Sequence, residues 1–269
     1  MYEVKQNLHN LKCSLDQAQI ENRLSYNPDI LELQLFEADI DDPKHIQNVI
    51  RDLKQKDVKV ILHHPMKVNG KFLDILSVDT EVMEYYKRSC RVLDEICHSE
   101  DVYCVVHPHY DDCESGRVYP TNKKRMLQKS NELKEALQKL RENTNDRFYF
   151  ENAPEGIFSS MNPYWISHII EPLNLPVCYD VSHSFMSFRG DNQKLKQDLK
   201  EAYPFTKHYH VVDSEGTEVH DALPLGKGDI AWSNLKPFIK HKDFIFEIEL
   251  PDYKDCTLMI ESAAYFDSI

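Results

Sequence analysis

Residues 148–156 read Phe-Tyr-Phe-Glu-Asn-Ala-Pro-Glu-Gly. An aromatic run of this kind favours a β-strand covered on both faces, and it ends on a carboxylate and an amide just before a proline-containing turn. The same design recurs in both directions along the chain. Upstream, Ile30–Phe36 carries Glu32, Val58–His63 ends at the pair His63-His64, and Val102–His107 leads into His107-Pro108-His109. Downstream, Val177–Val181 holds Asp180, with His183 three residues later. His208–Val212 holds His210 and runs to Asp213, and Phe244–Leu250 holds Glu247 and Glu249. Val4–Leu8 reads as the first strand of the set.

Helical patterns separate these strands: Leu15–Leu24, Pro43–Gln55, Glu81–His98, Lys123–Asn143, Tyr164–Glu171, Gln193–Ala202 and Trp232–His241, with Tyr253–Phe266 closing the series. The clearest is Lys123–Asn143, where Leu127, Leu133, Leu137 and Leu140 share one side and charges occupy the other. Eight strand–helix units predict an α/β chain folded as a single (β/α)8 barrel over residues 1–269, since no linker or composition break divides it. In such a barrel the C-terminal strand ends converge on one mouth, so polar residues far apart in sequence meet there. The long spacers after His63 and His107 read as enlarged loops on that face.

Composition narrows the chemistry. The 269 residues carry 32 Lys+Arg against 45 Asp+Glu, a net charge of −13. That balance disfavours nucleic acid as a partner. Only 7 Gly occur, where ordinary usage would give roughly 19. Neither GxGxxG nor GxxxxGK[ST] is present, so dinucleotide and P-loop sites are excluded. The seven cysteines form no CxxC pair and read as reduced thiols. Met1-Tyr-Glu-Val-Lys lacks the basic start and apolar core of a secretion signal, and no apolar run approaches the ~20 residues of a membrane span. The expectation is a cytoplasmic chain with no membrane partner, compatible with a homo-oligomer.

Buried carboxylates are costly unless paired or coordinated. Repetition of carboxylate or imidazole at consecutive strand ends therefore points to a metal site rather than coincidence. With no thiolate at the focal positions, the mixture suits a divalent Mn, Zn, Mg or Co ion, and ligand type alone does not choose among them.

The pieces LELQLF, ILHHPMKVN, VVHPHYD, FYFENAPEG, CYDVSHS, HYHVVDSEG with LPLGKGDI, and FEIELPD together resemble the xylose-isomerase-like TIM barrel superfamily. That superfamily contains sugar isomerases, sugar epimerases and bacterial apurinic endonucleases. The resemblance implies a central metal held by Glu151, Asp180, His210 and Glu249, with Glu249 preferred to Glu247 as the glutamate nearer the strand-eight exit. It implies acid/base roles for Glu151 and Glu249. The endonuclease branch adds further metals, and His63, His107 and His183 match its extra histidines. Its remaining Asp-x-His pair would fall where this chain has Glu218-Val219-His220, so His220 is a candidate second-metal or substrate ligand in a departing motif.

The leading expectation is a metal-dependent isomerase or epimerase of a sugar, sugar phosphate or derivative, working through an enediolate or hydride shift on a small carbohydrate. The alternative is an endonuclease-IV-like zinc phosphodiesterase acting on abasic DNA. Arg189 and Lys227 are candidate substrate-binding cations, because the loop after strand seven is where many barrels hold phosphate. Asp213 is expected to fix His210 or the following turn. Residues 109–112 read as a polar lid, and His9, His45, His98, His168 and His241 as ordinary helix or outer-loop residues.

Overall fold

The computed structural model describes residues 9–109, 122–217 and 221–269. Eight parallel strands close into a barrel: β1 Asn10–Ser14, β2 Ile30–Gln34, β3 Lys59–His63, β4 Tyr103–Val106, β5 Phe148–Glu151, β6 Val177–Asp180, β7 Thr206–Val211 and β8 Asp243–Phe246. They follow one another around the ring in chain order, and β8 returns to β1. The fold is the α/β barrel expected from the alternation of strands and helices.

The pleat explains how the strands serve two environments. Side chains alternate from one face to the other. Leu31, Leu33, Val60, Leu62, Phe148, Phe150 and Tyr209 belong to the large core between strands and helices. Ile30, Ile61, Val105, Cys178 and Ile245, with Tyr149 against them, form a separate apolar cluster inside the barrel. Two residues further along the same strands, the inward positions are Glu32, His63, His107, Asp180, Glu247 and Glu151. An apolar plug thus supports a polar layer at the mouth.

Helix starts are set by short acceptors. Asp42, Asp79, Asn122, Asp180 and Asp191 each cap a helix: Pro43–Lys54, Thr80–Glu100, Lys123–Glu142, Val181–Ser187 and Asn192–Ala202. Each side chain accepts from a backbone N–H that has no partner inside the helix. The short helix Val181–Ser187 is additional to the helical patterns read from the sequence. Trp165–Ile170 winds as a π-helix before Glu171–Leu173, a departure from the expected helix Tyr164–Glu171; Pro172 has no N–H to offer the regular ladder.

The first strand also departs from expectation. Val4–Leu8 lies outside the described residues, and the strand that opens the barrel is Asn10–Ser14. The spacer after β3 forms a small antiparallel hairpin, Lys67–Val68 with Lys71–Phe72, turned by Asn69 and Gly70 at positive φ. Most of the spacer after His107, including residues 110–112 of the expected lid, lies outside the described residues. The six described cysteines are free and buried. Among the described residues, no helix is long and apolar enough to cross a membrane.

Two stability outcomes follow from the packing. At Gly216, φ is +74°, and an added Cβ would stand 2.6 Å from Gly190 Cα. Gly216→Ala combines strain with a backbone clash and is expected to cost about 2 kcal/mol in urea unfolding. Asp198 accepts from Ser160 (2.7 Å), Tyr179 (2.8 Å) and Trp165 (3.1 Å), yet burial pushes its carboxyl up to about 6 against those bonds. An acid that holds its proton more tightly when folded lends stability below its unfolded pKa near 3.8. That contribution declines as pH rises to about 6 and is flat above. Asp198→Asn is expected to remove this decline in urea titrations across the window; an unchanged pH profile would contradict it.

Candidate metal centre

The polar layer is organised around His210, which is fully buried on β7. Its Nδ1 faces three carboxylates, with Glu247 Oε2 at 2.6 Å, Glu151 Oε1 at 3.1 Å and Asp180 Oδ2 at 3.8 Å. Its Nε2 stands 3.0 Å from Glu32 Oε2. One ligand atom from each of Glu151, Asp180, His210 and Glu247 lies within 4.8 Å of the others. The strands bring together residues spread over nearly a hundred positions because each is the first or second polar residue above the apolar plug.

Beneath this quartet Glu32 is a shared acceptor. Its Oε2 also receives His208 Nε2 at 2.9 Å, and its Oε1 pairs with Lys12 Nζ at 2.9 Å. Lys12 reaches in turn to Glu247 Oε1 at 2.5 Å. On the other side, Glu151 Oε2 stands 3.1 Å from both His63 Nε2 and His107 Nε2. His63 Nδ1 donates to the His64 carbonyl at 2.9 Å, and its Nε2 faces the Glu151 carboxylate. His183 Nδ1 likewise donates to the Asn152 carbonyl at 2.8 Å.

The electrostatics are those of a cation site. Burial opposes charge on Glu151 and Glu32, but His107 and His210 around the first, and His210 and Lys12 around the second, hold both well below the usual carboxylate range. Burial works against charge on His210 too, yet Cys178, Glu151, Glu247 and Glu32 together hold it well above the ordinary imidazole value. Asp180 is raised by burial. His107 is pushed down to about 3 by burial, despite the pull of Glu151. Four carboxylates facing one lysine are stable out of water only with added positive charge. His210 turns Nδ1 toward three carboxylates, and Glu32 on Nε2 is placed as the carboxylate that commonly orients a ligating imidazole. The donor set fits a divalent cation held by Glu151, Asp180, His210 and Glu247.

Asp180 has a second task. Its Oδ1 accepts from His183 N at 2.6 Å and Ser182 Oγ at 2.8 Å, capping the helix that follows. Asp213 fixes the next turn, accepting from the N–H groups of Ser214, Gly226 and Ile230 at 2.9, 2.7 and 3.3 Å.

On strand eight the structure groups Glu247, and not the expected Glu249, with the other three residues. Glu247, two residues beyond inward-facing Ile245, enters the quartet, whereas Glu249 is exposed one pleat further out with its N–H on the Ala222 carbonyl. Arg189 and Lys227 are exposed, and no hydrogen bond or ion pair ties either to the quartet among the described residues. His220 and Glu218 lie outside the described residues. Lys12 and His208 are additions that sequence reasoning missed, and Glu32, seen on its strand, has gained a role. Their signal is the inward register that they share with Glu247 and His210.

Beside the quartet a cleft of about 860 Å³ opens over β1, β2 and β8, with Lys12, Glu247, Gln34 and Glu249 in its wall. Residues 25–269 match the family described as xylose isomerase-like TIM barrel. No curated protein matches the sequence. Among solved structures, a D-tagatose 3-epimerase-like protein superposes with a TM-score of 0.72 at 17% identity, covering 96% of each chain. A xylose isomerase domain protein from Planctomyces limnophilus gives 0.62 at 12%, covering 97% of each. D-psicose 3-epimerase from Clostridium cellulolyticum H10, solved with D-tagatose, gives 0.62 at 11%, covering 96% of each. At these identities the likeness is one of fold.

Two substitutions separate the roles. Glu247→Gln is expected to weaken Mn²⁺ binding about tenfold or more in calorimetry, whereas Glu249→Gln leaves it within about twofold; the reverse order would restore the outer glutamate as ligand. Lys12→Met removes the ammonium that pairs with buried Glu32 Oε1 and is expected to cost about 3–5 kcal/mol in denaturant unfolding.

Proposed function

Because the chain belongs to the xylose isomerase-like TIM barrel family, we propose that it is a divalent-metal-dependent isomerase or epimerase of a sugar or sugar derivative. The observation that carries this reading is the buried quartet Glu151, Asp180, His210 and Glu247, of which Glu247 lines a cleft of ligand size. A bound divalent cation would polarise neighbouring substrate oxygens and stabilise negative charge developing there.

The chain's own residues supply the rest. Isomerisation or epimerisation through an enediolate takes a proton from the carbon beside a carbonyl and returns one to a different atom or face. That needs two groups able to exchange protons, close to the substrate yet separately held. Glu247, part-exposed in the cleft wall, is suited to accept the proton, and its position is fixed by Lys12 on one oxygen and His210 on the other. Glu151, 1% exposed, is suited to the opposite exchange, with His63 and His107 on Oε2 and His210 on Oε1. His183 stands 3.6 Å from Glu151 Oε1, its ring held by the Asn152 carbonyl. The same frame serves a hydride shift, in which the carboxylates move only hydroxyl protons.

A second reading is favoured by the trio His63, His107 and Glu151. A further ion there would suit phosphodiester hydrolysis, and the extra histidines are what that chemistry would use.

The test is exchange of carbon-bound hydrogen in D₂O with Mn²⁺-supplied protein and a panel of keto- and aldo-sugars. Exchange or interconversion of at least one sugar is expected, with Glu151→Gln and Glu247→Gln each losing about 10²-fold or more in kcat. A silent panel, together with more than one metal ion per chain and cleavage of an abasic oligonucleotide, would instead establish the hydrolase.

A further inference from the structure

The cleft beside the quartet says more about the ligand than the quartet does. Three of the six large hydrophobic side chains that stand exposed among the described residues, Phe36 (59%), Phe72 (39%) and Tyr253 (52%), line this one cleft. They come from separate loops: the end of β2, the hairpin after β3, and the segment between β8 and the last helix. Met66, Met259 and Ile248 continue the apolar wall behind them. Converging exposed aromatics around a cleft mark a surface that is covered in use. The volume, about 860 Å³, is near the upper end of the ~300–1,000 Å³ of sites that enclose drug-sized molecules. One free hexose leaves most of it unfilled.

The charges point the same way. Among the described residues the cleft's cations are Lys12 and Lys67. Lys12 is committed to Glu32 and Glu247, and Lys67 Nζ lies 4.3 Å over the centre of the Phe72 ring. Beyond the quartet the wall adds Glu37 and Glu249. Arg189 and Lys227, the cations that sequence offers for a phosphate, are not in this wall. An acidic wall with its ammonium groups already engaged repels a phosphate or carboxylate and accepts a neutral ligand.

We propose that the cleft selects an uncharged sugar carrying an apolar or aromatic substituent, with the sugar at Glu247 and the substituent against Phe36, Phe72 and Tyr253. This rests on the isomerase or epimerase reading and narrows its substrate from sugars in general to neutral, apolar-substituted ones. Sequestering one aromatic ring against such a wall is enough to change affinity by an order of magnitude.

The experiment compares three probes on the full-length, Mn²⁺-supplied protein: D-fructose, D-fructose 6-phosphate and 6-O-benzyl-D-fructose. Binding is read by calorimetry and proton exchange in D₂O by NMR. The benzyl ether is expected to bind about tenfold or more tightly than D-fructose, and the 6-phosphate no more tightly than D-fructose. Phe36→Ala and Tyr253→Ala, both at exposed positions, are expected to bring the benzyl-to-fructose affinity ratio below about threefold, whereas Lys227→Ala outside the cleft leaves the ratio unchanged. Equal affinities for the benzyl ether and D-fructose, or preference for the phosphate, would overturn the proposal. If the ketoses exchange hydrogen without any benzyl preference, only the substituent proposal fails. If the benzyl ether binds through Phe36 and Tyr253 and nothing exchanges, the cleft assignment stands and the isomerase reading fails.

Discussion

A carboxylate leaves water only when something nearby replaces the lost solvation, and this barrel buries Glu32, Glu151 and Asp180 almost completely, with Glu247 beside them. Everything else at the mouth answers that constraint. His210 stands between the upper carboxylates and Glu32, Lys12 stitches Glu32 to Glu247, and His63 and His107 turn toward Glu151. Such a cluster contributes nothing to folding that an apolar core of equal volume would not supply more cheaply. The apolar plug of Ile30, Ile61, Val105, Cys178 and Ile245 keeps the cluster dry from below, which strengthens each interaction above it.

Dry surroundings also decide how the carboxylates differ. Glu151 is enclosed by the imidazoles of His63, His107, His183 and His210, and its carboxyl is held down chiefly by His107 and His210. Asp180 is raised by burial while its Oδ1 is occupied with capping a helix. Glu247 reaches the cleft. Three carboxylates that look alike in sequence thus have three environments, and a site able to move protons in two directions needs such inequality.

The barrel was legible in the sequence because strand and helix periodicities alternate along nearly the whole chain, and Asp180, His210 and Glu151 stood out as polar ends on apolar runs. The departures from expectation have physical causes. Reading Val4–Leu8 as the first strand left Lys12 in a gap, although Lys-Cys-Ser at 12–14 alternates inward and outward as the other strands do. Glu249 was preferred to Glu247 by position relative to the strand exit, whereas the two-residue pleat counted from Ile245 selects Glu247. Arg189 and Lys227 illustrate the limit of sequence proximity: residues that follow an active strand can still point to solvent, since loop direction is set by turns such as those at Gly190 and Gly226.

The joint between β1 and β8 has a consequence of its own. β1 and β2 pair over five residues, but β1 and β8 share the single register pair Leu11 with Phe246. Lys12 and Glu247, one residue above that pair on each strand, span the same joint by charge. The ring is therefore sewn by backbone almost all the way round and fastened by an ionic clasp at one place. The ligand cleft opens over that clasp. A molecule entering there meets the stretch of the wall with the fewest backbone ladder pairs, closed in its place by a lysine and a glutamate.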